Sequence, residues 1–292
     1  MTPINISEFK ISDTITIAES KSYEDFNATK KELEKALEAT RKELGKLQDT
    51  LYAHGKYSVL VCLQGMDTAG KDSLIREVFK DFNARGVVVH SFKVPTELER
   101  KHDYLWRHYI ALPARGKFGV FNRTHYENVL VTRVHPEYIL GEYLPDVNSV
   151  EDIDEAFWAR RMEQIVNFEQ TLSNNGTIIF KFFLNLSKDE QKNRLLRRLE
   201  KKSKHWKFSP GDLEERQLWD RYMKCYEEAI NATTKHHARW YNIPADSKPA
   251  ARLLVATILL EELRTFSDIK EPDLDDDVKA RIDEYKMLLE QE

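Results

Sequence analysis

The apolar positions of this chain follow two periods that alternate along it. Between residues 22 and 54, Leu33, Ala36, Leu37, Leu44, Leu47 and Leu51 recur at three- and four-residue steps with charges between them, which predicts an amphipathic helix. The next run, YSVLVCLQ at 57–64, is β-branched and continuously apolar, as expected of a strand covered on both faces of a parallel sheet. Similar runs at 87–92, 117–121, 177–186 and 238–243 predict four more strands. Helical stretches lie between them at about 72–84, 96–111, 151–174, 188–202 and 212–235, and a last one at 248–265. Alternating strands and helices fold through right-handed crossovers into a doubly wound parallel sheet, whose ligands lie at the carboxyl ends of the strands. The expected organisation is therefore one α/β domain over 21–265. It is preceded by an arm at 1–20, ordered or loose, and followed by an acidic tail at 266–292 that ends in a short amphipathic helix.

Composition narrows this picture. With 41% hydrophobic and 32% charged residues the chain can build a sizeable core and lacks the signature of a disordered protein. The 45 Lys+Arg and 49 Asp+Glu leave a net charge of −4, which argues against a wholly basic protein that coats nucleic acid. That total conceals segregation. Residues 181–207 carry ten basic and three acidic side chains and 85–135 nine and four, whereas 136–160 and 265–292 come to −6 each. Two cysteines, Cys62 and Cys225, are too few for a disulfide framework and read as buried thiols of a reducing compartment. No leader pattern opens the sequence and no window approaches the roughly 18 apolar residues of a spanning helix, so a cytoplasmic protein without a membrane partner is expected.

The chemistry begins where the first predicted strand ends. GMDTAGKDS at 65–73 fits the first seven positions of GxxxxGK[ST], with Gly65, Gly70 and Lys71 in register and Met66, Asp67, Thr68 and Ala69 between them. Glycines let such a loop turn its N–H groups inward, the following helix adds its positive end, and Lys71 supplies a cation for phosphoryl oxygens. The eighth position departs from the pattern. It is Asp72, with Ser73 next, so the hydroxyl that usually binds Mg²⁺ is displaced and the metal must find oxygen elsewhere. Asp67 is the first candidate, as metal ligand or as a base acting on the acceptor; Asp72 is a second site residue or merely starts the helix.

FNRTHYENVL at 121–130 follows the third strand, where a metal-binding carboxylate is expected, yet the residue there is Asn122. Arg123 and Arg133 would point cations at the same cavity, and Glu127 would add the nearby carboxylate. Five histidines, His90, His102, His108, His125 and His135, lie between residues 85 and 135 without zinc spacing, and most read as hydrogen-bonding partners. Arg107, with Arg100, Lys101, Asp103 and Trp106, is a candidate wall for an anion or nucleotide. Arg194, Arg197, Arg198 and Lys201 recur on one face of the 188–202 helix, and Lys202, Lys204 and Lys207 extend it. Seven like charges in one stretch repel unless a polyanion passes beneath them, as under the lid of a P-loop kinase at about 188–212.

GMDTAGKD at 65–72, PTELERKHDYLWR at 95–107, FNRTHYENVLVTRVHP at 121–136 and KKSKHWKFSPGDLEERQLWDRY at 201–222 occur in that order. Together they resemble the second family of polyphosphate kinases over roughly residues 25–265. The resemblance implies a thymidylate-kinase-like P-loop fold, Mg²⁺ or Mn²⁺, inorganic polyphosphate, an adenine or guanine nucleotide, and a homo-oligomer, a dimer or tetramer. It does not imply a nucleic-acid partner. By position Asp67 resembles the loop aspartate that binds Mg²⁺ and orients the acceptor, and Lys71 the loop lysine. Arg123 and Arg133 resemble the phosphate-clamping arginines, and Arg194 to Lys207 the lid along a polyphosphate channel. Many members carry Asp where this chain has Asn122, and Asn there with Glu127 resembles the subclass acting on both AMP and ADP. The expected reaction is reversible transfer of the terminal phosphoryl group of polyphosphate to AMP or ADP. The alternatives are an ATP-dependent nucleoside monophosphate kinase and a non-catalytic phosphate- or RNA-binding module.

Overall fold

A computed structural model describes residues 1–291. Five strands, β1 (Ser58–Gln64), β2 (Val87–Ser91), β3 (Phe118–Asn122), β4 (Thr177–Asn185) and β5 (Trp240–Pro244), form one sheet in the order β2-β3-β1-β4-β5, every pair parallel. All five follow the predicted runs to within two residues at either end. The apolar residues of β1 divide by parity. Val59, Val61 and Leu63 join one core cluster with alternate residues of β4, and Leu60 and Cys62 join another on the opposite face. Helix α1 (Lys30–His54), α2 (Lys71–Val78) and α10 (Lys248–Arg264) cover the first face; α6 (Glu155–Asn174) and α9 (Trp219–Thr233) cover the second. Ten residues of α10 are buried, which explains why its sequence shows no polar stripe.

Four predicted helices differ most in the structure, and the one expected at 72–84 ends at Val78, where Phe79 closes it. The first begins at Lys30, not 22, because Phe26 and Asn27 adopt left-handed backbone and Thr29 with Glu32 forms a capping box. The stretch 96–111 breaks into single turns, α3 (Glu97–Arg100) and α4 (Trp106–Tyr109), where the Asp103 carboxylate accepts the Leu105 N–H. The stretch 212–235 divides at Leu218 into α8 (Gly211–Gln217) and α9. Between β3 and α6 the chain makes short turns, among them α5 (Val131–Val134). α7 (Lys188–Glu200) follows β4, starting on Ser187, whose hydroxyl caps Glu190. The tail carries α11 (Asp276–Ala280) and α12 (Ile282–Glu290), neither with a buried residue.

The N-terminal arm is ordered. The Ile11 N–H donates to the Trp240 carbonyl and the Asn242 N–H to that of Phe9, so the arm lies antiparallel along the outer edge of β5 with Phe9 and Ile11 buried. Cys62 and Cys225 are free and buried. No helix among the described residues is long and apolar enough to cross a membrane.

Candidate functional site

The loop between β1 and α2 opens at the carboxyl end of the sheet. Gly65 has φ +149, and a Cβ there would stand 2.8 Å from the Leu184 carbonyl oxygen, so no other residue fits this passage between β1 and β4. Thr68 also adopts left-handed backbone, at φ +67, a conformation that costs a non-glycine residue about 1–3 kcal/mol. What holds it there is Arg194 of α7. Its Nη1 donates to the Thr68 and Ala69 carbonyls, its Nη2 to those of Ala245 and Asp246, and its Nε to Glu190. All five N–H groups of this buried guanidinium are engaged by protein, so Arg194 braces the loop and has no donor left for a phosphate. That corrects its sequence assignment to the channel surface.

Lys71, the first residue of α2, is buried and donates to the Gly65 carbonyl at 2.5 Å and that of Met66 at 3.3 Å. Burial, then Arg123, lowers its pKa. The Met66 side chain packs in the core cluster with Tyr126 and Trp240 and contributes only its backbone to the loop. Asp72 faces the site: its carboxylate accepts from the Asn122 amide at 2.7 Å. The amide nitrogen of Asn122, rather than its oxygen, is thus directed at the loop, and Ser91 Oγ takes a second, longer bond from it at 3.3 Å. Asp67 accepts from Arg123 at 2.7 Å, and the same guanidinium reaches Glu127 at 3.7 Å. Although burial opposes it, Glu127 and Asp67 raise the Arg123 pKa and keep it charged.

These side chains line a cavity of about 630 Å³. Its lining holds eleven basic residues and three acidic ones, Asp67, Asp72 and Asp212, a net of +8. Only Arg76, Arg123, Arg194 and Arg198 of the eleven meet a carboxylate within 4 Å among the described residues. Arg198 ties the lid shut, donating to Asp212 at the start of α8 and to the Lys207 carbonyl. Seven cations therefore face one cavity without a counter-ion, Lys204 and Lys207 from the lid among them. Lys93, Arg76, Lys248 and Arg252 line it too, and the sequence reading did not single them out. The signal was present for the last two, a basic pair four residues apart opening the helix after the fifth strand.

A second cleft of about 500 Å³ adjoins the first and shares Phe92, Lys93 and Arg123 with it. Arg107 and Glu127 line it. The Arg107 guanidinium lies 5.0 Å over the Phe92 ring, donates to the Lys93 carbonyl and stands 3.5 Å from Glu99, so it stiffens the wall. Lys201 and Lys202 are exposed at the end of α7 and line neither cavity. Arg133 also belongs to neither: α5 turns it to α9, where it pairs with Glu228, with its guanidinium 5.8 Å from the Trp158 ring. Lys181, counted in the basic stretch, is wholly buried in β4 and donates to Glu169, Tyr126 and the Thr233 carbonyl. None of these last four acts on the cavity surface.

No cluster of three or more His, Cys, Asp or Glu side chains suited to a metal occurs among the described residues. Asp67 and Asp72 do fit a cation of the Mg²⁺ type, which takes one or two carboxylates and completes its shell with water and substrate phosphates.

The family model described as Polyphosphate kinase 2 (PPK2) matches residues 27–271. An ADP-polyphosphate phosphotransferase of Rhodopseudomonas palustris is 45% identical over 241 residues, 82% of each chain. An AMP/ADP-polyphosphate phosphotransferase of Meiothermus ruber is 45% identical over 238 residues, 82% of this chain and 84% of that one. Among solved structures, a polyphosphate kinase 2 from Arthrobacter aurescens superposes with a TM-score of 0.87 at 36% identity, covering 99% of this chain and all of that one.

Proposed function

The chain belongs to the polyphosphate kinase 2 family and is a polyphosphate-dependent nucleotide phosphotransferase; from that premise we propose that it transfers the terminal phosphoryl group of inorganic polyphosphate to both AMP and ADP. The observation that carries this reading is the pair of joined cavities, one crowded with unpaired cations and the other mainly apolar, meeting at Arg123. The nucleoside occupies the second cleft and its phosphates reach the shared wall. Polyphosphate lies in the first, its end at the loop. A terminal phosphate oxygen of the nucleotide bonds to the end phosphorus of the chain as the bridging P–O bond breaks, leaving a donor one phosphate shorter.

Such a transfer needs alignment and compensation of charge more than covalent chemistry. Lys71 and the loop N–H groups hold the transferred group, Arg123 bridges donor and acceptor, and Lys204 and Lys207 neutralise the chain behind it. Asp67, with Asp72 facing the same space, would hold Mg²⁺ or Mn²⁺. The metal supplies electrostatic stabilisation of the transferring phosphoryl oxygens when bound. Asp67 keeps Arg123 in place until the phosphates arrive. An ATP-dependent kinase would need charge for a triphosphate only, so the excess of unpaired cations favours the longer donor. The protein works in the cytoplasm as a homo-oligomer on this reading. Incubation with Mg²⁺, long-chain polyphosphate and AMP or ADP, without ATP, should yield ADP and ATP; no product from either acceptor would refute the proposal.

A further inference from the structure

The basic cavity does not end at the lid. Beyond the loop its wall continues onto α10, where Lys248 and Arg252 stand four residues apart, and onto α2 at Arg76. The Lys248 side chain reaches the loop itself, its Cε 3.7 Å from where a Cβ of Gly70 would stand. Neither Lys248 nor Arg252 has a carboxylate within 4 Å among the described residues, and the Arg252 Nε is buried with no hydrogen-bond partner. Arg194 Nη1 stands equally near that Gly70 Cβ position, at 3.7 Å, and Arg252, Lys204 and Arg197 line the same cavity. Two carboxylates act on Arg252: Glu77, which Arg76 at 2.9 Å and Arg41 at 4.0 Å already share, and Glu34, which lies 3.7 Å from Lys30. Two cations without a carboxylate partner, four residues apart on α10 and lining one cavity with Arg76 of α2, are most stable with an anion between them.

We propose that Lys248 and Arg252 of α10, with Arg76 of α2, form a second bank of the donor track opposite the lid, holding phosphates behind the transferred one and making long chains better donors than short ones. This rests on the functional reading above and goes beyond it, since the loop, Asp67 and the lid already account for transfer itself. A tripolyphosphate held at the loop meets only the near end of this bank, where Lys248 reaches Gly70; a long chain also passes Arg252 and Arg76. The two side chains are positioning groups for the donor and touch neither the acceptor nor the phosphoryl group in flight.

The test compares long-chain polyphosphate with tripolyphosphate, as donors or competing binders, in Lys248→Gln, Arg252→Gln and the double variant, beside Lys248→Arg and Arg252→Lys. The expected result is a rise of about tenfold or more in the long-chain KM of the double variant, the scale of losing charge-assisted contacts. In Arg252→Gln the tripolyphosphate constant, the ADP KM and kcat should stay within about twofold, the pattern of lost ground-state binding. The charge-keeping variants should recover most of the loss. Arg76 is exposed, so Arg76→Gln carries the same comparison if Arg252→Gln does not fold. An equal rise for both donors, or unchanged long-chain binding, would overturn the inference while leaving the function intact. A wild-type protein that transfers from neither donor would overturn the function and the inference together.

Discussion

The two cavities meet at one arginine and are made of opposite materials. The larger holds eleven basic residues around the loop, while the smaller exposes mainly apolar surface, with Val94, Pro95, Val131 and Tyr138 set among four basic and three acidic side chains. Each suits a different kind of recognition. Unpaired cations attract any polyanion through a field that salt screens, whereas an apolar cleft selects by shape and is indifferent to ionic strength. A repeating, featureless donor calls for the first, and a nucleoside for the second.

Removing the cation at the centre should break the contrast most severely. Lys71→Met should lower transfer by about 10²–10³-fold or more, as loss of a preorganised charge at the reacting group does, with ADP binding retained in calorimetry. Loss of nucleotide binding as well would mean the cavities are not separable. Next in size is Arg194→Met, which strands Glu190 and frees the loop carbonyls. It should destabilise the fold by about 3–5 kcal/mol in urea denaturation, the range for breaking one partner of a buried pair. A small change there, with donor KM raised instead, would return Arg194 to the channel surface. Salt should divide the cavities directly: the donor KM should climb more than about tenfold across moderate ionic strength, while the nucleotide KM moves little.

The smallest effect is set by pH. Burial, then Arg194 and the neighbouring cations, lower Lys248 to about 8. The charged form binds phosphate, so the long-chain donor KM should rise about threefold as pH passes from 7 to 9, and Lys248→Arg should flatten that rise. Stability of the protein without donor should move the other way. The unfolded chain keeps its proton up to the ordinary lysine value, so folding strengthens as pH rises above 8.

Much of this was legible in the sequence because it is local. The five strands and the loop follow from short-range patterns: an apolar run, a glycine at each bend, a lysine at the helix start. What escaped depends on long-range placement. Arg194 and Arg197 share a helix, a charge and a cavity wall, yet the donors of one are spent on the loop and the other has no carboxylate partner among the described residues, a difference of a fraction of a turn. Arg133 was legible as a cation near the third strand, but the turn that carries it to Glu228 was not. Lys181 sits in an apolar strand, where period two places it inside the fold, and only the partners on α6 and α9 explain how its charge is borne there. Lys248 and Arg252 lie about 180 residues from the loop they complete, and their four-residue spacing marks a basic helix face without saying what that face meets.

The arm on β5 bears on the order in which the molecule is made. Lys10 pairs with Glu262 across 252 positions, and its neighbours bond to β5, the last strand in the chain. A contact that closes so long a loop forms late. The arm, made before β5, must wait for that strand before it can seat. Until then the outer edge of β5 is open to other strands, and its apolar contacts for Phe9 and Ile11 are bare. A bulky fusion at the N-terminus should therefore lengthen that interval and show itself as aggregation during refolding before it shows in activity.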